Sequence, residues 1–192
     1  MNSLKRYLIW LSRISYCRGF GVQSPSAYRF IRYVINEHYP YYGYCDLETK
    51  YPSLDWLQRK RMELYFRVAN YCQAKTMVDY SDDSKLLTDY VMQGCHSTQV
   101  VNIVGRSVAN VPLQFVRICP ISGSEKFLDE LLMRSNHNTV LIVEDIHDDG
   151  IARCMWQCLV ESTKVSVSYD LYYCGIAFFD VERHKINYTV NF

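Results

Sequence analysis

Short apolar runs recur from residue 76 onward, and between them lie stretches whose apolar residues repeat at helical spacing. Thr76–Tyr80 and residues 99–104, 113–118 and 139–145 read as short buried strands. Two more follow at 164–171 and 175–180, and an alternating strand closes the chain at 185–192. Helices are expected over 84–92, Ser124–Arg134 and 150–160, the second opened by a capping box of Ser122 and Glu125. The third places Ile151, Met155, Cys158 and Leu159 on one face. Strand–helix alternation ending in a hairpin constrains the fold to the α/β class, with a mostly parallel sheet and a C-terminal antiparallel hairpin. One interval is out of step. Eight residues separate Val104 from Leu113, fewer than the dozen or so that a parallel crossover needs. Either a helix is missing or minimal there, or one of the two strands is misread.

The chain before residue 76 reads as helical. Leu4, Tyr7, Leu8, Leu11 and Ile14 share a helical stripe, with Lys5, Arg6 and Arg13 interspersed. A helix packed on the body is the plain reading, and a basic helix lying on a membrane surface is the sharper one. Arg18-Gly-Phe-Gly-Val-Gln-Ser-Pro25 is a glycine-containing turn, in which Ser24 suits an N-cap and Pro25 the first helical position. The next helix carries Ala27, Phe30, Ile31, Val34 and Ile35 on one stripe. Residues 39–44 form a tyrosine-dense loop, and a longer helix is expected over 54–71 with Ser53 as its cap. Residues 1–75 are therefore expected to be an N-terminal helical extension, and residues 76–192 the α/β domain.

Hydrophobic residues make up 49% of the 192 and charged residues 21%, a balance that excludes a disordered or fibrous chain. No apolar run approaches the length that spans a bilayer. The basic start has no cleavage-like site, so a cytoplasmic location is expected. Net charge is +1, which gives no overall pull toward nucleic acid, and none is expected as a partner. The charge is unevenly placed, however. Residues 1–75 hold twelve Lys/Arg against five Asp/Glu, and residues 76–192 hold nine against fifteen. Such a split suggests two functional parts, or two faces that meet each other. The eight cysteines include no CxxC pair and read as reduced core residues. Cys154 and Cys158 share a helical face, but no His lies at ligand spacing on that helix.

Several segments resemble a family of S-adenosylmethionine-dependent methyltransferase-like proteins. The turn at 18–25 resembles its "R-x-x-G-V-H-S-P" opening, with Gln23 at the usual His. The tyrosines at 39–44 and the stretch Leu64-Tyr-Phe-Arg-Val-Ala-Asn-Tyr71 are also similar. Leu141-Ile-Val-Glu-Asp-Ile-His147 resembles the family's "F-D-D-I-H" strand end. Residues 164–179 resemble its "K-V-T-V-T-I-D-x-F-x-x-G-I-V-F-F" ending. The resemblance implies the class I methyltransferase form of the Rossmann-like fold, in which a seven-stranded sheet carries the cofactor at its strand C-termini. It also implies a cofactor loop of the type "E-L-G-x-x-x-G" after the first strand. The corresponding run here is Asp79-Tyr-Ser-Asp-Asp-Ser-Lys85, with Ser81 and Lys85 at the glycine positions. Glycine there lets the backbone approach the ligand. Val104 stands where an acid would hold the ribose hydroxyls, and no "F-F-D-G" strand end is evident. By this resemblance, Asp79, Ser81 and Asp82 are the candidate cofactor-binding residues, with S-adenosylmethionine the cofactor if there is one.

Glu144-Asp-Ile-His-Asp-Asp149 falls at a strand C-terminus, where open α/β sheets bind ligands. In metal-dependent O-methyltransferases, carboxylates at this place help hold Mg²⁺. Glu144 and Asp145 are therefore candidate metal ligands, and Asp145 and His147 candidate catalytic groups, His147 as a base. A plainer reading has Asp148 and Asp149 capping the next helix, while Glu144 and Asp145 pair with the basic front half. Two functions follow as expectations. One is a methyltransferase-like protein with a degenerate cofactor site, acting as a binding or scaffold protein for a small molecule or protein partner. The other is an active small-molecule O-methyltransferase with an unusual cofactor loop.

Overall fold

The computed structural model describes residues 3–104, 111–148, 150–180, 182 and 184–192. Its strands are β1 (Thr76–Tyr80), β2 (Gln99–Asn102), β3 (Phe115–Ile118), β4 (Val140–Glu144), β5 (Val167–Asp170), β6 (Cys174–Phe178) and β7 (Ile186–Thr189). They form one sheet in the order β2-β1-β3-β4-β6-β5-β7. The pairs β1/β2, β1/β3, β3/β4 and β5/β7 are parallel, whereas β6 runs antiparallel to both β4 and β5. The α/β class, the mostly parallel sheet and the C-terminal antiparallel hairpin are all present. Both segments flanking the short interval are strands, on opposite sides of β1. Residues 105–110 of the interval itself lie outside the described residues.

The helices are α1 (Ser3–Ser12), α2 (Pro25–Phe30, continued by a π-helical turn over Ile31–Ile35), α3 (Tyr42–Lys50), α4 (Trp56–Cys72), α5 (Lys85–Gly94), α6 (Ser124–Arg134) and α7 (Gly150–Glu161). They cover both faces of the sheet, because successive strand residues point to opposite sides. Met77, Phe115, Val140 and Ile142 share a core with α2, α3, α4 and α5. Val78, Val116, Ile118, Leu141 and Val143 share the other with α6 and α7. From α2 onward the basic front part thus packs directly on the sheet, and the stripe Ala27, Phe30, Ile31, Val34 and Ile35 is buried as its spacing predicts, whereas Leu4, Tyr7, Leu8, Leu11 and Ile14 of the first stripe are exposed.

Local chemistry revises several element boundaries. Helix α4 starts at Asp55 rather than Ser53: the Asp55 carboxylate accepts from the amides of Leu57 and Gln58, and the Gln58 side chain accepts from the Asp55 amide. Helix α6 has no Ser122 box, because Gly123 is its N-cap, with a left-handed φ of 91°. On α7 the buried face is Ala152, Met155, Trp156 and Leu159, while Ile151 and Cys158 are exposed. Gly175 explains why Trp156 turns inward: a Cβ there would collide with the indole ring. The tyrosine-dense stretch is not all loop. Tyr42 opens α3, and Tyr41 and Tyr44 pack their rings on Phe66. The cysteines are all free, but only Cys95 and Cys174 are buried, and Cys45, Cys154 and Cys158 are exposed.

Candidate functional site

In this strand order the chain passes from β2, on one side of β1, to β3 on the other. The crevice outside the C-termini of β1 and β3 is therefore the topological switch point, where open α/β sheets receive ligands. The period of two places Asp79 on the face that α4 covers, beside Met77, and places Arg117 and Glu144 on that same face. Asp79 and Arg117 are direct cross-strand partners in the β1/β3 register. Arg61 and Tyr65, four residues apart on α4, lie over the strand ends.

These residues form one buried ionic network. Arg117 Nε donates to Asp79 Oδ1 at 2.7 Å, and its Nη2 donates to Asp79 Oδ2 at 3.2 Å and to Ser81 Oγ at 2.7 Å. The Ser81 hydroxyl in turn donates to Asp79 Oδ2 at 2.7 Å. Arg117 Nη1 reaches Glu144 Oε1 at 2.9 Å. The other Glu144 oxygen accepts from Arg61 Nη1 at 2.9 Å, and Arg61 Nη2 donates to Asp145. Asp79 is fully buried, and Arg117 and Glu144 nearly so. The Tyr65 ring sits 5.9 Å from the Arg117 guanidinium, and among the described residues the Tyr65 hydroxyl and Arg61 Nε have no hydrogen-bond partner. Asp145, at φ 55°, turns the chain out of β4, and burial raises its carboxyl above the ordinary value despite Arg61. Burial pushes the neighbouring thiols of Cys119 and Cys174 up to about 12, so neither is a ready nucleophile.

The loop after β1 is tied down by its own side chains. Asn102 on β2 donates to the Ser81 carbonyl at 2.7 Å and to Ser84 Oγ at 2.9 Å, and its Oδ1 accepts from the Val104 amide at 3.2 Å. The Asp83 carboxylate accepts from the Lys85 amide at 3.0 Å, which places a negative charge of the protein at the start of α5. Ser81, Asp82, Asp83, Ser84 and Lys85 line a shallow cavity of about 470 Å³, with Asn102 and Val104 lining it from the β2 side. Asp82 is exposed there.

His147 belongs to a second cluster. Its Nε2 lies 2.8 Å from Asp170 Oδ2, at the end of β5, and 3.3 Å from Arg13 Nη2. Arg13 also pairs with Asp170 Oδ1 at 2.8 Å, and the His147 ring stacks on Tyr172. The structure thus brings Asp79 and Ser81 together with Glu144 and Asp145, and it separates His147 from them. Among the described residues no group of three or more His, Cys, Asp or Glu side chains is arranged to hold a metal ion. Lys5 lies 3.7 Å from Asp148, whereas Asp149 is outside the described residues. Arg117 and Arg61 are the members that the sequence reading misses. The available signal was a lone arginine inside the apolar run Phe115-Val-Arg-Ile118.

No protein-family model matches this chain, and no curated protein is significantly similar to it.

Proposed function

We propose that this chain is a methyltransferase-like protein whose cofactor site is filled by its own residues, and that it serves as a binding or scaffold protein rather than a catalyst. The observation that carries this reading is Arg117, which stands on β3 beside the switch point and occupies both Asp79 and Glu144. A ligand that needed either carboxylate would have to break it from a buried guanidinium, a loss of several kcal/mol. The loop supports the same reading. It lacks the glycines of the resembling family, Asn102 pins it to β2, and Asp83 supplies the anion at the start of α5. Val104 offers no acceptor for ribose hydroxyls. Glu144 and Asp145 hold guanidinium groups where metal ligands would need free oxygens. These residues do not fit S-adenosylmethionine. A thermal melt of the whole chain should shift by less than 1 °C (roughly the resolution of the method) with millimolar S-adenosylmethionine or S-adenosylhomocysteine, because binding to the folded state alone raises the melting temperature. A dose-dependent rise would overturn the reading.

The second reading, an active small-molecule O-methyltransferase, draws on one observation, the His147–Asp170 contact at 2.8 Å. A carboxylate that orients an imidazole is the usual arrangement for a general base. Transfer of a labelled methyl group from S-adenosylmethionine to a phenolic or alcoholic acceptor would favour it, provided that His147→Ala abolishes the transfer.

A further inference from the structure

A groove of about 410 Å³ opens between α1, the first turns of α4, and the ends of the sheet at Tyr173 and Phe192. Its volume is in the range of small-molecule sites. Aromatic side chains line it, among them Trp10, Trp56, Tyr173 and Phe192. Two cations stand within it. The Arg6 guanidinium lies 4.4 Å from the Trp56 ring centre, and Lys60 Nζ lies 4.8 Å from Trp56 and 4.4 Å from the Phe192 ring. Among the described residues neither cation forms an ion pair, while the other basic residues of α1 and α4 nearby are paired, Lys5 with Asp148 and Arg61 with Glu144 and Asp145. An independent feature also points to a ligand. Tyr173, only 3% exposed, lines the same groove, and among the described residues its hydroxyl has no hydrogen-bond partner. A buried hydroxyl without a partner is a standing penalty that a ligand oxygen would relieve.

We propose that this groove binds an amphipathic organic anion: an apolar chain or ring seated on the aromatic walls, with a carboxylate received by Lys60 and Arg6 and by the Tyr173 hydroxyl. The charge complementarity selects this occupant. A purely apolar ligand would leave both cations and the hydroxyl unpaired, and a free inorganic anion would leave the aromatic walls exposed. The groove's lining shares no residue with the ionic network at the ends of β1, β3 and β4, so the proposal stands whether or not the crevice there admits a cofactor. Protonation offers a further readout. Burial and the charges of Arg67 and Arg6, opposed by Glu63, bring the Lys60 ammonium down to about 8. Carboxylate binding should therefore weaken as the pH rises above that value.

Decanoate and decanol are suitable probes, titrated against the intrinsic tryptophan fluorescence of the whole chain below their micelle or aggregation range. Saturable decanoate binding is expected, with decanol about tenfold weaker or worse, which corresponds to the loss of one charge-assisted contact. Lys60→Met and Arg6→Met should each weaken decanoate by about tenfold while leaving decanol unchanged, and Lys60→Met should abolish the pH dependence. Circular dichroism verifies that both variants fold, and the comparison of decanoate with decanol needs no variant. Equal affinities for the two probes would overturn the proposal. So would an unchanged decanoate affinity in both variants. Sedimentation of the chain with anionic vesicles, without saturable decanoate binding, would assign this face to a membrane surface and would overturn it as well.

Discussion

Arg117 is a single residue on which two strand ends depend. Its guanidinium neutralises Asp79 on β1 and Glu144 on β4, and all three are removed from water. Arg117→Met would leave two carboxylates buried and short of partners, and should destabilise the chain by about 3–5 kcal/mol in urea unfolding. Arg61→Met should lower stability less, because Glu144 keeps Arg117 and the Asp145 side chain is 40% exposed to water. A loss below about 1 kcal/mol for Arg117→Met would mean that the network contributes little. The buried thiols make a prediction of opposite character. Burial raises Cys72 to about 11, and Cys119 and Cys174 to about 12, from an ordinary value of 9.0. Between those values the unfolded chain loses thiol protons that the folded chain keeps. The stability these groups contribute is complete below pH 9.0 and is lost as the pH rises toward 12. Denaturant midpoints should fall across that range, and Cys119→Ala with Cys174→Ala should flatten the fall.

At the scale of elements, the central strands were legible because each is a short apolar run, and in a sheet covered on both faces such a run carries no polar alternation, whereas the edge strand β7 was legible by its alternation. Thr76–Tyr80 and Ser124–Arg134 form with the boundaries that their patterns predict. Caps were less legible, because several polar residues compete near each helix start: Ser53 and Asp55 both suit the role, and the amides of Leu57 and Gln58 choose Asp55. The inner face of α7 was legible only in part. Its periodicity admitted Ile151 and Cys158, but the bare Gly175 on β6 leaves the space that the Trp156 indole fills. Gly175→Ala should therefore force the indole to move and destabilise the chain by about 1–3 kcal/mol, the usual range for overpacking. Unfolding in urea checks the magnitude, and a neutral substitution would show that α7 rides on the sheet more loosely than this packing requires.

For the molecule as a whole, the uneven charge along the sequence has a structural counterpart. Basic residues before position 76 meet acidic residues after it in Arg13–Asp170, Arg61–Glu144, Lys5–Asp148 and Lys50–Asp89. The reading of two faces that meet was therefore available in the sequence, and so was the pairing of Glu144 and Asp145 with the front half. The identity of the partners was not, because Arg61 lies 83 residues from Glu144 and Arg117 lies 38 from Asp79, distances that no local pattern spans. For the same reason the sequence placed His147 beside Asp145, while the fold directs it to Asp170 and Arg13.

Isothermal titration with S-adenosylmethionine and S-adenosylhomocysteine tests most directly whether the crevice at the ends of β1 and β3 is filled by the protein itself. No detectable binding is predicted up to millimolar ligand. Micromolar binding would contradict the account, since it would require Arg117 to release Asp79 and Glu144, or the loop at 81–85 to receive the cofactor without its glycines.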